Sequence, residues 1–308
     1  MKTLPVSFNE AIEQAVKKYW NRNALSDYGE ITFQYKDAAR IIAKLHILFE
    51  ETGIKKGDKI ALCGSNSSRW GMAFIATITY GAVAVPILPD FHPEQIHQIT
   101  NHSEARLFFA ADKIWKKINA EEMPNLIGIL GTEDYQVLYA REAELQETRN
   151  SLNKLYGEKY PDSFRPEHVS YHRDEREELC MINYTSGTTS NSKGVMIPYR
   201  ALTNNMEFAD RALNLKSGMT IVSMLPMAHM YGMAFEFLYE LTVGNSLAES
   251  ALVKSPQFSR ITESQESVKG CINLHTVLPK LVARKVEFVV PNYSVASDIN
   301  RNGSKQFR

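Results

Sequence analysis

The chain has 308 residues, of which 44% are hydrophobic and 23% are charged, a composition typical of a globular protein. Lysine and arginine together number 35, as do aspartate and glutamate, so no overall basic field exists to attract nucleic acid or anionic lipid. The 3 cysteines are scattered without CxxC spacing, which argues against a disulfide framework or a zinc ribbon.

Helical and strand patterns alternate along the first half of the chain. Apolar residues recur at helical spacing in Phe8–Trp20 and again in Tyr35–Glu50, where Gly53 follows as a stop signal. Another helix is predicted to begin at His92-Pro93, because proline is favoured at the first helical position. Short strands are predicted at Ile31–Tyr35, Lys59–Cys63 and Leu107–Ala110. This alternation predicts an α/β layer architecture.

Residues 70–89 contain no charge and raise the question of a membrane span. A stretch of about 20 apolar residues could cross a bilayer. However, Gly81 and Pro86 interrupt it, so we predict a helix, a turn and a buried strand, with no transmembrane segment. The N-terminus carries Glu10 and Glu13 where a signal peptide needs an apolar core. Together with the scattered cysteines, this predicts a cytoplasmic protein.

Three histidines at five-residue spacing are candidate metal ligands: His92, His97 and His102. Residues five apart lie roughly 140° apart around a helix, so the three cannot share one face. We therefore predict solvated or helix-capping histidines. The next long stretch, residues 140–178, is rich in charge and tyrosine and is predicted to be a surface excursion with one helix.

The run YTSGTTSNSKGV, residues 184–195, combines small hydroxyl residues and glycine with a single lysine, Lys193. Successive backbone N–H groups in a glycine-containing turn form a concave anion site, and the lysine adds a compact positive charge. Composition alone suits a flexible linker about as well. Apolar strands predicted at Leu179–Tyr184 and from Val195 favour a polyphosphate-binding loop. It is not a Walker A loop, which requires glycine directly before the lysine and a serine or threonine directly after it.

The same run resembles the phosphate-binding signature Y-T-S-G-T-T-G-x-P-K-G-V of the AMP-forming adenylating enzymes, which include acyl-CoA synthetases and luciferases. It departs from that signature at Ser190 and Ser192, where the family has glycine and proline. Three more segments resemble family motifs in the same order: GDKIA at 57–61 with Asn66 and Trp70, YGA at 80–82 with Val85-Pro86, and LPMAHMYG at 225–232. The resemblance covers residues 8–247 and is greatest to bacterial long-chain fatty-acid–CoA ligases. It implies layered sheets with flanking helices, as in an incomplete N-terminal domain of the acyl-adenylate-forming fold.

This resemblance implies a reaction in two steps. A fatty-acid carboxylate attacks the α-phosphate of ATP with Mg²⁺, giving acyl-AMP and pyrophosphate, and the thiol of coenzyme A then displaces AMP. The residues matching the phosphate signature are Thr185, Ser186, Gly187, Thr188, Thr189 and Lys193. Among them, Thr185 would approach Mg²⁺ and Lys193 would add catalytic charge.

The LPMAHMYG segment looks like the L-P-x-x-H-x-x-G motif that lines the family's acyl pocket. His229, Tyr231 and Gly232 would therefore line that pocket, with His229 in a catalytic position near the reacting carboxylate. Local sequence supports an alternative equally well, in which His229 is a hydrogen-bonded loop histidine.

The character of the sequence changes after Gly244. Residues 245–270 are dominated by serine, glutamate and glutamine, and the family's later Y-G-x-T-E and T-G-D motifs and C-terminal lysine have no counterpart. We expect a partial N-terminal AMP-binding domain at 1–247 and a divergent or out-of-frame, partly disordered tail at 248–308, with the C-terminal domain absent. On this hypothesis the chain is a truncated or frameshifted ligase, not competent alone, whose incomplete sheet needs a partner chain or a dimer. The alternative is a noncatalytic nucleotide- or acyl-binding module.

Overall fold

The computed structural model describes residues 7–27, 31–185, 193–213, 215, 217–223, 225–249 and 271–272. The α-helices are α1 (Phe8–Lys18), α2 (Tyr35–Glu51), α3 (Ser68–Tyr80), α4 (Pro93–His102), α5 (Asp112–Trp115), α6 (Ala143–Lys159), α7 (Tyr199–Leu213) and α8 (Tyr239–Val243). Short 3₁₀ turns occur at Ala120–Glu122 and Pro166–His168, and a π-helix spans Gly232–Leu238. The strands are β1 (Asn23–Asp27), β2 (Thr32–Gln34), β3 (Lys59–Cys63), β4 (Val83–Ile87), β5 (Ala105–Ala110), β6 (Gly128–Gly131), β7 (Val137–Ala140), β8 (Leu179–Thr185), β9 (Lys193–Pro198), β10 (Thr220–Ser223), β11 (Ser246–Glu249) and β12 (Cys271–Ile272).

The described strands form two sheets. The seven-stranded sheet has the order β7-β6-β5-β3-β4-β8-β9, parallel in its centre and antiparallel where β7 and β9 pair at its two ends. The five-stranded sheet has the order β12-β10-β11-β1-β2, and within it β2 alone is antiparallel to its neighbour. The predicted α/β layer architecture is confirmed.

Strands β3 and β5 show that the seven-stranded sheet is packed on both faces. Successive residues alternate between two separate apolar clusters, with Leu62 and Phe109 in one and Ala61 and Phe108 in the other. All four side chains are fully buried. Burial on both faces explains why these strands read as continuous apolar runs in the sequence.

Helix α3 lies between the two sheets, since it contacts β3 and β4 of one sheet and β1 of the other. Nearly all of its residues are buried, which explains an apolar composition on every side of the helix. It begins at Ser67, whose Oγ accepts a hydrogen bond from the Trp70 N–H, and ends at Gly81, whose φ is 90°. The predicted helix, glycine and strand are confirmed. Within the described residues, every helix falls short of the length and apolar character that a bilayer span requires.

The excursion at residues 140–178 contains the predicted helix, α6, and also fastens helix α1 to the rest of the fold. The Asp174 carboxylate accepts hydrogen bonds from the Ser7 hydroxyl and from the backbone N–H groups of Phe8 and Asn9, at 3.0 and 2.8 Å for the two N–H groups. These groups lie at the helix N-terminus, where backbone donors have no partner within the helix.

A second contact joins the excursion to α1 one turn further along. The Arg173 guanidinium donates to both oxygens of Glu13, at 2.8 and 3.1 Å. Burial alone would raise the pKa of Glu13, but hydrogen bonds from Arg173, Lys17 and the Tyr171 N–H lower it to about 2. The carboxylate is therefore ionised throughout the neutral range, and it ties two distant parts of the chain together.

Strand β11 and strand β12 contain residues of the predicted tail. β11 pairs in parallel with β1 and β10, and β12 pairs in parallel with β10. The division into a domain at 1–247 and a tail at 248–308 stays a prediction.

Candidate functional site

Strands β8 and β9 form a hairpin whose connection is the hydroxyl-rich run. The pair that flanks this connection consists of Thr185 at the end of β8 and Lys193 at the start of β9. Lys193 therefore begins strand β9, two residues earlier than the predicted strand start at Val195. The other predicted phosphate contacts lie outside the described residues: Ser186, Gly187, Thr188 and Thr189. Their roles, and those of Thr185 and Lys193, stay predictions.

The carboxyl ends of strands from the two sheets are joined by hydrogen bonds through the residues that lead from β3 to the start of α3. Strand β3 leads through Asn66 to the start of α3, and the Ser68 N–H there donates to the Asp27 carboxylate at the end of β1, at 2.7 Å. Ser223, the last residue of β10, accepts a hydrogen bond from the Asn66 amide at 3.3 Å. In open parallel sheets, ligands bind in the crevice outside the carboxyl ends of the strands.

The LPMAHMYG run, hereafter the 225–232 segment, begins two residues after the end of β10. Asn66 binds its backbone twice, donating through Nδ2 to the Leu225 carbonyl at 2.8 Å and accepting through Oδ1 from the Met227 N–H at 2.8 Å. The buried carboxylate of Glu236, on the π-helix, accepts from the Leu225 N–H at 2.9 Å. The buried amide of Asn183, on β8, donates to the Ala228 carbonyl at 3.0 Å. Three side chains from three different elements thus satisfy four backbone groups of the segment.

The three residues predicted for the acyl pocket lie at the end of this segment. His229 is exposed, and its Nδ1 accepts a hydrogen bond from the Tyr231 N–H at 3.3 Å, which is the interaction expected of a loop histidine. Tyr231 packs against Phe235, with ring centroids 4.9 Å apart. Gly232 is buried, and a Cβ atom there would lie 2.7 Å from the Pro226 carbonyl oxygen. The catalytic role of His229 stays a prediction.

Tyr184, the first residue of the phosphate-type run, is buried and contacts helix α4. Its hydroxyl lies 2.6 Å from Nδ1 of His102 on α4, and burial raises the pKa of Tyr184 above its usual range. The sequence-based interpretation of the three histidines is right for His92, which caps α4, and wrong for His97. His97 is buried, and its ring has polar partners there: Nε2 accepts a hydrogen bond from the Asn119 N–H at 2.9 Å, and Nδ1 lies 2.9 Å from the Glu122 carboxylate.

The π-helix and α8 carry a second buried acid, Glu240, one turn beyond Glu236. It is fully buried and accepts a hydrogen bond from the Asn245 amide at 2.8 Å. Burial raises the pKa of Glu240, the Asn245 hydrogen bond opposes this effect, and the nearby Glu236 carboxylate adds to it, so that the resulting pKa is about 7. Glu240 therefore changes charge within the neutral range.

We expect Glu240→Gln to stabilise the protein at pH 8 by about 1–2 kcal/mol and to have little effect at pH 5. The folded-state pKa is raised from 4.5, so the folded protein holds a proton that the unfolded chain loses between pH 4.5 and about 7. Stability consequently falls as pH rises through this window, and glutamine removes that dependence. Urea unfolding at both pH values measures the change, with Glu144→Gln on the exposed face of α6 as control. Equal stabilisation at both pH values would contradict the prediction.

Two of the residues that bind the 225–232 segment are recognisable in the sequence as isolated polar residues, although their role was not predicted. Asn183 is a lone amide in the apolar strand β8, and Glu236 is a lone acid in the apolar run MAFEFL. An isolated polar side chain in an apolar element needs a buried partner, and here both partners are backbone groups of the 225–232 segment. Asn66 belongs to a recognised motif, but its contacts with the segment were not predicted.

Comparison with known proteins identifies relatives of this architecture. The family model described as AMP-binding enzyme matches residues 12–262. The long-chain-fatty-acid–CoA ligase ACSBG2 of Xenopus laevis is 25% identical over an alignment of 260 residues, which covers 79% of this chain and 33% of that ligase. The chain spans about a third of the length of the curated relatives it matches.

Solved structures show the same fold. A natural red emitting luciferase from Phrixothrix hirtus superposes with a TM-score of 0.71 and 17% identity, over 85% of this chain and 50% of the luciferase. The fatty acyl-adenylate ligase from L. pneumophila, solved with acyl adenylate and pyrophosphate, gives a TM-score of 0.65 and 16% identity, over 86% of this chain and 43% of the ligase.

Proposed function

We propose, because this chain belongs to the AMP-binding enzyme family, that it binds ATP at the β8–β9 hairpin and takes part in activating a carboxylic acid to an acyl adenylate. The observation that carries the proposal is the hydrogen bond from Asn183 to the Ala228 carbonyl at 3.0 Å. It joins the strand that leads into the phosphate-type run to the segment that carries His229. This contact supports the proposal, because it connects the two parts of the chain that we propose as the ATP side and the acid side of the site.

Adenylation needs two negatively charged reactants to be brought together, since a carboxylate must approach the α-phosphate of ATP. A site serves this reaction by aligning the reactants and by neutralising phosphate charge. Lys193, at the hairpin, supplies positive charge on the ATP side. Mg²⁺ enters such sites largely through phosphate oxygens and waters. The exposed Thr185, at the carboxyl end of β8, is the described residue whose hydroxyl would contact it.

Two observations support a proposed substrate class: the names of the relatives and the apolar character of the 225–232 segment. The name of the Xenopus ligase specifies a long-chain fatty acid and coenzyme A. In this chain the residues flanking His229 are the buried Met227 and Ala228 and the half-buried Met230 and Tyr231. We therefore propose a long-chain fatty acid as the acid and coenzyme A as the acceptor of the acyl group.

Lys193→Ala is expected to weaken ATP binding about tenfold, because a charge-assisted contact to phosphate is worth about 1.5–3 kcal/mol and water replaces part of it. Isothermal titration with MgATP measures the dissociation constant. Fatty-acid-dependent exchange between ATP and pyrophosphate measures the reaction, and exchange should fall at least as much as binding. Lys113→Ala, on the exposed side of α5, serves as the control.

The outcomes of this experiment separate the proposed enzyme from other functions. Exchange that requires fatty acid and is lost in Lys193→Ala supports the proposal. ATP binding without exchange indicates a noncatalytic binding module. If Lys193→Ala binds ATP as tightly as the parent chain, the hairpin is not the phosphate site and the proposal fails.

We also propose a cytoplasmic location and a partner chain or dimer that covers part of the sheet. Met196 supports the second point, since this large apolar side chain is 39% exposed on β9, at the end of the described seven-stranded sheet. Light scattering coupled to size-exclusion chromatography tests it, and a monomer at all concentrations would contradict it.

A further inference from the structure

Asn183 occupies an unusual position for a polar residue. Its neighbours on β8 are apolar, and its side chain is 8% exposed. Side chains alternate along a strand, so Met181, Asn183 and Thr185 project to the same face. Asn183 therefore lies on the face of β8 from which Thr185 projects, two residues before the hairpin connection.

The Asn183 amide donates to the Ala228 carbonyl, and Ala228 directly precedes His229. A buried amide in an apolar strand is costly unless it is hydrogen-bonded, and a carbonyl left without its donor is also costly. The contact consequently constrains both partners: it fixes the side chain on β8 and the backbone of the 225–232 segment next to His229.

The other two anchors of the segment come from elsewhere in the fold. Asn66 belongs to the connection after β3, and Glu236 belongs to the π-helix that continues from the segment itself. These contacts fix the shape of the segment at Leu225 and Met227. Asn183 differs because it belongs to the strand that enters the phosphate-type run.

We propose that Asn183 is a positioning residue, which sets the spacing between the phosphate hairpin and the acid-binding segment through its hydrogen bond to the Ala228 carbonyl. The inference rests on the proposed function, because it concerns how the two halves of that site are aligned. Displacement of reacting groups by about 1 Å can reduce a rate by about a hundredfold. Loss of the contact should therefore reduce the reaction far more than it reduces binding of either ligand.

The test uses three variants of the full chain. Asn183→Leu keeps the approximate volume and removes the donor, whereas Asn183→Gln keeps an amide donor. Met181→Leu is the matched control, a volume-conserving change at a buried position on the same face of the same strand. For each variant we would measure thermal unfolding, MgATP binding, and the kcat and KM of fatty-acid-dependent ATP–pyrophosphate exchange. Hydrogen exchange of residues 225–232 and of strand β9 supplies a readout that does not depend on catalysis.

We expect Asn183→Leu to lower the kcat of exchange by about tenfold or more while the ATP dissociation constant stays within about twofold of the parent value. Asn183→Gln should recover part of the rate, and Met181→Leu should behave like the parent. Amide exchange should accelerate in residues 225–232 but not in β9. A parallel loss of melting temperature, ATP binding and rate in Asn183→Leu and Met181→Leu would indicate a structural role only and would overturn the inference.

Failure of the proposed function gives a different pattern. If the parent chain shows no fatty-acid-dependent exchange, the function is wrong, and the inference is then judged by hydrogen exchange alone. Faster amide hydrogen exchange confined to residues 225–232 in Asn183→Leu would still establish that Asn183 positions the segment. An unchanged rate of amide hydrogen exchange in residues 225–232 would refute the inference.

Discussion

Gly232→Ala is expected to reduce fatty-acid-dependent ATP–pyrophosphate exchange by about a hundredfold while leaving ATP binding within about twofold of the parent value. A Cβ atom at position 232 would lie 2.7 Å from the Pro226 carbonyl oxygen and 3.1 Å from the Leu225 Cβ atom. Neither neighbour is the end of a flexible side chain, so the backbone of the 225–232 segment must move. That backbone is held at Leu225 by Asn66 and Glu236 and at Ala228 by Asn183, so we expect the strain to fall on residues 229–232, which include His229.

The cost of this substitution should be local. Overpacking a buried position costs about 1–3 kcal/mol, which a folded domain of this size tolerates. The hairpin pairing of β8 and β9 does not involve Gly232, which is why ATP binding should persist. Gly157→Ala is the control: no atom lies within 4 Å of a Cβ at this helical position, and alanine favours a helix over glycine. Normal exchange in Gly232→Ala would show that the segment does not hold the acid.

Asp174→Ala is expected to lower the free energy of unfolding by about 3 kcal/mol, since hydrogen bonds to charged groups contribute about 1.5–3 kcal/mol each and are not fully additive. The carboxylate accepts from the Ser7 hydroxyl and from the N–H groups of Phe8 and Asn9. Removing it leaves the N-terminus of α1 without these acceptors. Phe8 is 2% exposed, so a loosened α1 would also open the apolar cluster beneath it.

Urea unfolding measures the loss of unfolding free energy in Asp174→Ala, and two further variants serve as comparisons. Asp174→Asn keeps one acceptor oxygen and should have an intermediate stability. Asp162→Ala removes an exposed carboxylate from the same excursion and should be neutral within about 0.5 kcal/mol. If Asp174→Ala is as stable as Asp162→Ala, the excursion does not hold α1 in place.

Local patterns were sufficient for the elements in which burial and turn signals agree. The bounds of β3 are those predicted, and Gly81 separates α3 from β4, as predicted from its interruption of the uncharged stretch. These features depend on residues within one turn or one strand, so neighbouring letters determine them. The two strands of the β8–β9 hairpin were predicted on the same grounds, from apolar runs on both sides of a polar one, and the phosphate role of their connection stays a prediction.

Features that depend on distant residues could not be predicted in the same way. The sequence shows that Asn183 and Glu236 are polar residues in apolar surroundings, but it does not show that both bind the 225–232 segment. His97 was predicted from helical spacing to be solvated or helix-capping, yet it is buried because the connection after α5 folds over it. The excursion contains polar residues that read as solvent-facing, whereas Arg173 and Asp174 pair with α1, which lies far away in sequence.

The pairing of β1 with β11 has a consequence for how the molecule assembles. Leu25 lies opposite Leu247. Strand β1, near the beginning of the described chain, therefore cannot form this pairing until residues more than 200 positions later have been synthesised. Ribosomes add about 5–20 residues per second, so β1 emerges roughly ten seconds or more before its partner. Strands β3, β4 and β5 are close in sequence, and closing their short connections costs less entropy. The seven-stranded sheet therefore gains its centre during synthesis, and a nascent chain stalled before Ser246 holds β1 and β2 as a hairpin whose parallel partner has yet to arrive.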